Sequence, residues 1–137
     1  MKLDHIGVAV ADIDATLSAY EALGLTAVHR EHVPKDGVQV AFVPFEGGRF
    51  ELLQPEREDS PVAKFLGRHG EGMHHVALQV QNLSERLDAL KAHGVRLIDQ
   101  QPRAGAENTL VAFIHPKATG GVLVELVERP KGADRHG

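Results

Sequence analysis

The chain has no cysteine among its 137 residues. That excludes a disulfide framework and a thiolate-held metal, so any metal must be bound through imidazole, carboxylate or amide groups. It also agrees with a reducing cytosol. There is no surplus of positive charge: 15 Lys and Arg stand against 19 Asp and Glu, for a formal net charge of -4. With no dense basic block, nucleic acid and anionic membranes lack an electrostatic footprint, which points to a small-molecule partner. No apolar stretch approaches the roughly 20 residues needed to cross a bilayer. Met1 is followed at once by Lys2, Leu3, Asp4 and His5, with no charged leader before an apolar run. A cytoplasmic protein with no membrane partner is therefore expected. The length suits one well-buried core, so any internal duplication has to share it.

What the sequence does contain is a repeat. The segment HIGVAVADIDATLSAYEALGL from His5 lies without a gap on HVALQVQNLSERLDALKAHGV from His75. Each opens with alternating strand-type residues, Ile6, Val8 and Val10 in one and Val76, Leu78 and Val80 in the other. A helix start follows in both. Asp12 precedes the stripe Ile13, Leu17, Tyr20, and Asn82 precedes Leu83, Leu87, Leu90, each at i, i+4, i+7 spacing. Asn82 with Glu85 reads as a capping box, and Gly24 and Gly94 stand where left-handed C-caps end the helices. Apolar runs then recur at Leu25 to Val28 and Val95 to Ile98, at Val38 to Val43 and Leu110 to Ile114, and at Phe50 to Leu53 and Val122 to Val127. Each half therefore reads as βαβββ. The expected organisation is one α+β domain over residues 1–130, with module 1 at about 1–56 and module 2 at about 73–130. Between them, Ser60 and Pro61 start a short connector helix through Val62 and Phe65 that Gly67, Gly70 and Gly72 break. Residues 131–137 form a polar tail expected to fray.

Strand alternation decides where the repeated polar residues point. If Ile6, Val8 and Val10 lie under the helix, His5, Gly7 and Ala9 take the other face; His75, Ala77 and Gln79 do the same in the second half. Glu51 alternates with Phe50 and Leu52, and Glu125 with Val124 and Leu126, so both carboxylates can share that face. A lone histidine at a strand start is ordinarily structural, but a repeated histidine accompanied by a repeated glutamate is a donor set for a divalent first-row metal. An unpaired carboxylate inside an apolar strand costs on the order of several kcal/mol to bury, so each needs a metal or a strong partner. Small Gly7, Ala9 and Ala77 leave an open cleft beside them. His74 alternates to the wrong face, His29, His32, His69, His93 and His136 have no repeated counterpart, and His115 falls in a turn, so these read as non-ligands.

A duplicated βαβββ module with a metal in its cleft resembles the vicinal oxygen chelate, or glyoxalase-like, superfamily, and the likeness spans nearly the whole chain. Within it, DHIGVAV, FELLQP, DSPVAKFL, GMHHVALQV and FIHPKATGGVLVELVE look most like methylmalonyl-CoA epimerase. The resemblance implies two tandem βαβββ modules forming a cleft-shaped mixed sheet. It carries metal ligation onto His5, His75 and Glu125, with Glu51 at a ligand position that some members fill with glutamine. It further implies interconversion of (2R)- and (2S)-methylmalonyl-CoA in propionate metabolism through a metal-stabilised enolate, with Glu51 and Glu125 as the proton-transfer pair. Cobalt is the metal the family suggests; manganese, nickel, iron and zinc also suit nitrogen and oxygen donors. A homodimer is implied as well. Lys35, Arg103 and Lys117 fall in loop positions from which cations can meet coenzyme A phosphates, although such residues ordinarily serve only solvation.

Two rivals share the fold. The ligand order His, Glu, His, Glu also resembles bacterial glyoxalase I, a lyase acting on a hemithioacetal; the DSPVAKFL connector and the HPKATGGVLVELVE ending favour the epimerase. A non-catalytic ligand-binding protein, as in bleomycin resistance, needs no metal ligands. An extradiol dioxygenase would leave Glu51 surplus. The acyl branch stays open, since methyl and ethyl differ by one methylene, worth only about 1 to 3 kcal/mol in a pocket.

Overall fold

The computed structural model describes residues 1–131, so most of the expected tail lies outside the described residues. The chain falls into two compact units, one of His5–His74 and one in which Met1–Asp4 joins the described residues from His75 onward.

The first unit takes in β1 (Lys2–Ala9) from His5 onward, which leads into α1 (Ile13–Ala22), followed by β2 (His29–Val33), β3 (Val38–Phe45), β4 (Gly48–Pro55) and α2 (Pro61–His69). The strands run in the order β2-β3-β4-β1, the first two pairings antiparallel and the last parallel. A parallel neighbour requires a crossover, which α1 begins. The stripe read from the sequence is what packs: Ile13 and Leu17 close on Val10, Ala41, Val43 and Leu52, with Val8, Tyr20 and Phe50 at the margin. Burying each large aliphatic side chain there contributes about 1.5–3 kcal/mol.

The second unit repeats the plan. β5 (Gly72–Gln79), α3 (Leu83–Ala92), β6 (Arg103–Ala104), β7 (Leu110–Ile114) and β8 (Val124–Glu128) give the order β5-β8-β7-β6, with β5 and β8 parallel and the other pairs antiparallel. Leu83 and Leu87 pack on Val80, Leu97, Ala112, Ile114 and Leu126.

Helix ends repeat too. Leu25 N–H bonds Tyr20 O and Gly24 N–H bonds Glu21 O, while Val95 N–H bonds Leu90 O and Gly94 N–H bonds Lys91 O. These are paired Schellman closures, with Gly24 at φ 97° and Gly94 at φ 76°, a region that glycine enters without steric cost. The starts differ from the sequence expectation. Asp12 caps α1 by accepting from Ala15 N–H, but Asn82 is left-handed (φ 53°, ψ 58°) and makes no side-chain cap bond. The capping box is therefore absent. Its place is taken from the last strand, where Glu128 Oε1 accepts from Leu83 N–H at 2.7 Å, as Gln54 Oε1 accepts from Ile13 N–H at 2.8 Å in the first unit.

Two other expectations are corrected. The runs Leu25 to Val28 and Val95 to Ile98 are not strands: the first precedes β2, and the second contributes a single bridge from Leu97 to Ile114 before β6, which is two residues long. Of these runs, Leu25, Ala27, Val95 and Leu97 instead fill the underside of each helix, whereas Val28 and Ile98 are exposed. The connector helix α2 starts at Pro61, capped by Ser60, but runs through Gly67 and stops at Gly70.

In the second unit, Asp4 is fully buried and receives Arg129 Nε at 2.8 Å and Nη2 at 3.0 Å, while Arg129 Nη1 reaches Glu107 at 3.2 Å. Burial opposes the guanidinium's charge, but Asp4 and then Glu107 outweigh it and raise the Arg129 pKa above its ordinary value. Asp4 is thereby committed on both oxygens.

Candidate metal centre

Each unit presents one histidine and one glutamate as a buried pair. In the first, Gly7 of β1 lies opposite Glu51 of β4, and Phe42 of β3 lies opposite Glu51 on its other side. Paired residues share a face, so His5, Gly7, Glu51 and Phe42 stand on the side away from α1. The second unit repeats the row: Ala77 opposite Glu125, and Phe113 opposite Glu125. His5, Glu51, His75 and Glu125 are all buried, none more than 7% exposed.

The contacts are short. His5 Nδ1 stands 3.1 Å from Glu51 Oε2, and His75 Nε2 stands 3.1 Å from Glu125 Oε1. The second is a charge contact rather than a well-directed hydrogen bond, and Glu125 Oε1 is buried. Two donor atoms about 2.1 Å from one ion and at right angles to each other lie about 3.0 Å apart, so both separations match an edge of a coordination sphere. The donor set fits a divalent first-row ion.

The second unit adds an aromatic wall, with the His75 ring edge-on to Phe113 at 5.4 Å. The first unit adds a cation. Buried Arg49 places Nη2 at 2.7 Å and Nε at 3.1 Å from Glu51 Oε2, and its guanidinium lies 4.3 Å from the centre of the Phe42 ring. On the far side of that ring, His29 stacks at 4.3 Å and 20°.

A model described as Glyoxalase/Bleomycin resistance protein/Dioxygenase superfamily matches residues 4–113. The chain belongs to this superfamily. Within the superfamily it falls among the methylmalonyl-CoA epimerases. The mouse mitochondrial methylmalonyl-CoA epimerase is 39% identical, with 91% of this chain and 71% of that protein covered. An ethylmalonyl-CoA/methylmalonyl-CoA epimerase from Cereibacter sphaeroides is 36% identical, covering 91% of this chain and 96% of its own. The solved structure of Streptomyces coelicolor methylmalonyl-CoA epimerase in complex with 2-nitronate-propionyl-CoA superposes with a TM-score of 0.92 at 34% identity, covering 98% of this chain and 99% of that one.

Other residues of this superfamily member fall in different places. Lys35 is exposed in the turn between β2 and β3, and Lys117 is exposed in a single 3-10 turn, Pro116–Thr119, that follows β7. Arg103, in β6, is half-buried, with Nε 3.3 Å from Asp99 and its guanidinium 5.5 Å from the Phe113 ring centre. Two features escaped the sequence reading. Glu31 of β2 pairs with Val40 of β3, and Val40 pairs with Leu53 of β4, which puts the half-buried Glu31 on the same face as Glu51. The alternation His29, Glu31, Val33 was the available signal, masked by assigning the strand to the apolar run before it. Arg49 was missed because an arginine beside a glycine turn ordinarily signals an exposed residue.

Proposed function

We propose that this chain is a metal-dependent epimerase that interconverts (2R)- and (2S)-methylmalonyl-CoA, with His5, Glu51, His75 and Glu125 holding one divalent ion, cobalt by preference. What carries the reading is the duplicated buried His–Glu pair, found in a chain whose relatives are named for this reaction over most of their length. When bound, the ion would supply Lewis-acid stabilisation of the negative charge that gathers on the thioester oxygen as the C2 proton leaves.

The rest of the reaction belongs to the side chains. Inversion at C2 needs one group to take the proton and another to return one from the opposite face. Glu125 is the first base, beside an apolar cluster made by Ala77 and Val111 of the flanking strands and Val127 of its own. Glu51 is the symmetry-related candidate for the second face, but its Oε2 is already engaged by Arg49 and His5. That engagement brings Glu31, on the same face, forward as a competing base on that side. Lys35, Arg103 and Lys117 serve as coenzyme A contacts in this scheme. The protein works as a cytoplasmic homodimer in propionate metabolism; among the described residues no helix is long and apolar enough to cross a membrane. The relative named for both ethylmalonyl-CoA and methylmalonyl-CoA makes the wider acyl branch a second substrate.

The test is to strip the metal, restore cobalt, and incubate both forms with a single epimer in heavy water. Cobalt-dependent deuterium entry at C2 with appearance of the other epimer is expected. Exchange no faster than in the metal-free control would sink the epimerase reading.

A further inference from the structure

The two glutamates of the proposed centre sit in equivalent rows, Gly7–Glu51–Phe42 and Ala77–Glu125–Phe113, but their surroundings are not equivalent. Two residues before Glu51 stands Arg49, only 4% exposed; two residues before Glu125 stands Leu123. A buried guanidinium is costly unless its charge is used, and Arg49 directs both Nε and Nη2 at one oxygen, Glu51 Oε2. Its flat face is fixed on Phe42, which His29 backs. The stack sets the fork at one angle, and the fork sets the carboxylate.

We infer that Arg49 is a positioning residue that offsets the charge of Glu51, keeping a centre with two carboxylates electropositive enough to accept an anionic acyl substrate. This rests on the metal-centre reading above. Two glutamates neutralise a divalent ion, whereas a neutral side chain at position 51 would leave it a net positive charge. Arg49 restores that charge without adding a ligand, because arginine keeps its proton and has no lone pair to donate. A cation behind a carboxylate also withdraws electron density from it, the opposite of the acceptor that usually stands behind a metal-bound histidine.

The sign of the consequence is unusual. Without Arg49, the metal-free protein holds an uncompensated buried carboxylate, so its stability falls and metal binding becomes more favourable. The bound centre, more negative, accepts an anionic substrate less well. Arg49→Met should therefore bind Co2+ more tightly by titration calorimetry, show a larger cobalt-induced rise in Tm, and lose about 10- to 100-fold in kcat/KM, chiefly through KM. Arg49→Met combined with Glu51→Gln removes both charges and should regain the lower KM for the anionic substrate relative to Arg49→Met alone. Arg49→Lys, which keeps the charge but not the fork or the flat stack, should fall between wild type and Arg49→Met and covers the case in which the methionine variant does not fold. Weaker cobalt binding in Arg49→Met or Arg49→Lys, or no regain in the double variant, would overturn the inference while leaving the metal centre standing. Absence of cobalt binding by the wild-type protein would instead remove the centre itself.

Discussion

The halves of this chain have kept the same skeleton and diverged in what surrounds it. Both place a histidine near the start of the first strand, a glutamate in the last strand opposite a small residue, and a phenylalanine beyond it. Around Glu51 the first half has built a guanidinium and a three-layer stack; around Glu125 the second half has kept apolar packing. We propose that Glu51, its Oε2 held by Arg49, serves chiefly as a fixed ligand, and that Glu125, among apolar neighbours, serves as the base. The comparison therefore assigns different duties to residues that the repeat makes look equal.

The sharpest way to break that assignment is to remove each glutamate's charge. Glu125→Gln should lower the epimerisation rate by about 10²–10⁴-fold, the usual worth of a general base, whereas Glu51→Gln should lower it by about 10- to 100-fold. Steady-state rates with both epimers as starting substrates check this, and equal losses would end the asymmetry. Next in size is the other buried arginine. Arg129→Met strands the Asp4 carboxylate, which makes no use of a metal in this account, and should cost about 3–5 kcal/mol of stability in urea unfolding. Its cobalt affinity should stay within about twofold of wild type, unlike that of Arg49→Met.

Smaller effects test the helix starts. Asp12→Ala should cost about 1 kcal/mol, since it removes a working N-cap, while Asn82→Gly should be neutral or stabilising by about 0.5 kcal/mol, because Asn82 occupies the left-handed region without a capping bond. Thermal unfolding separates the two. The smallest effect concerns His115, whose pKa is lowered by burial and then by Arg96 and Lys117. Its neutral form is favoured in the folded state, so its contribution to stability is full above the ordinary histidine value and is lost as pH falls below it. Histidine NMR titration should place His115 below the ordinary value, and His115→Gln should flatten that part of the pH profile.

The repeat made most of this legible in advance. Periods of 2 and 3.6 residues fixed which faces of β1, α1, β5 and α3 are buried, and Gly24 and Gly94 marked their ends, because those properties follow from local backbone geometry. What stayed hidden depends on partners distant in sequence. Leu83 N–H is capped by Glu128, 45 positions away, so no local motif could announce it. The edge strand at His29–Val33 is polar and loses to the apolar run before it in any reading by hydrophobicity, which hid Glu31. Arg49 reads as a surface residue until Phe42 is known to lie beneath it.

The central claim is that one divalent ion draws a histidine and a glutamate from each half. Metal content settles it most directly: cobalt titration with isothermal calorimetry and elemental analysis on wild type, His5→Ala and His75→Ala. The account predicts one cobalt per chain in the wild type and, in either variant, affinity weakened by about 10-fold or more. Two ions per chain, or a variant in either half that keeps wild-type affinity, would contradict it.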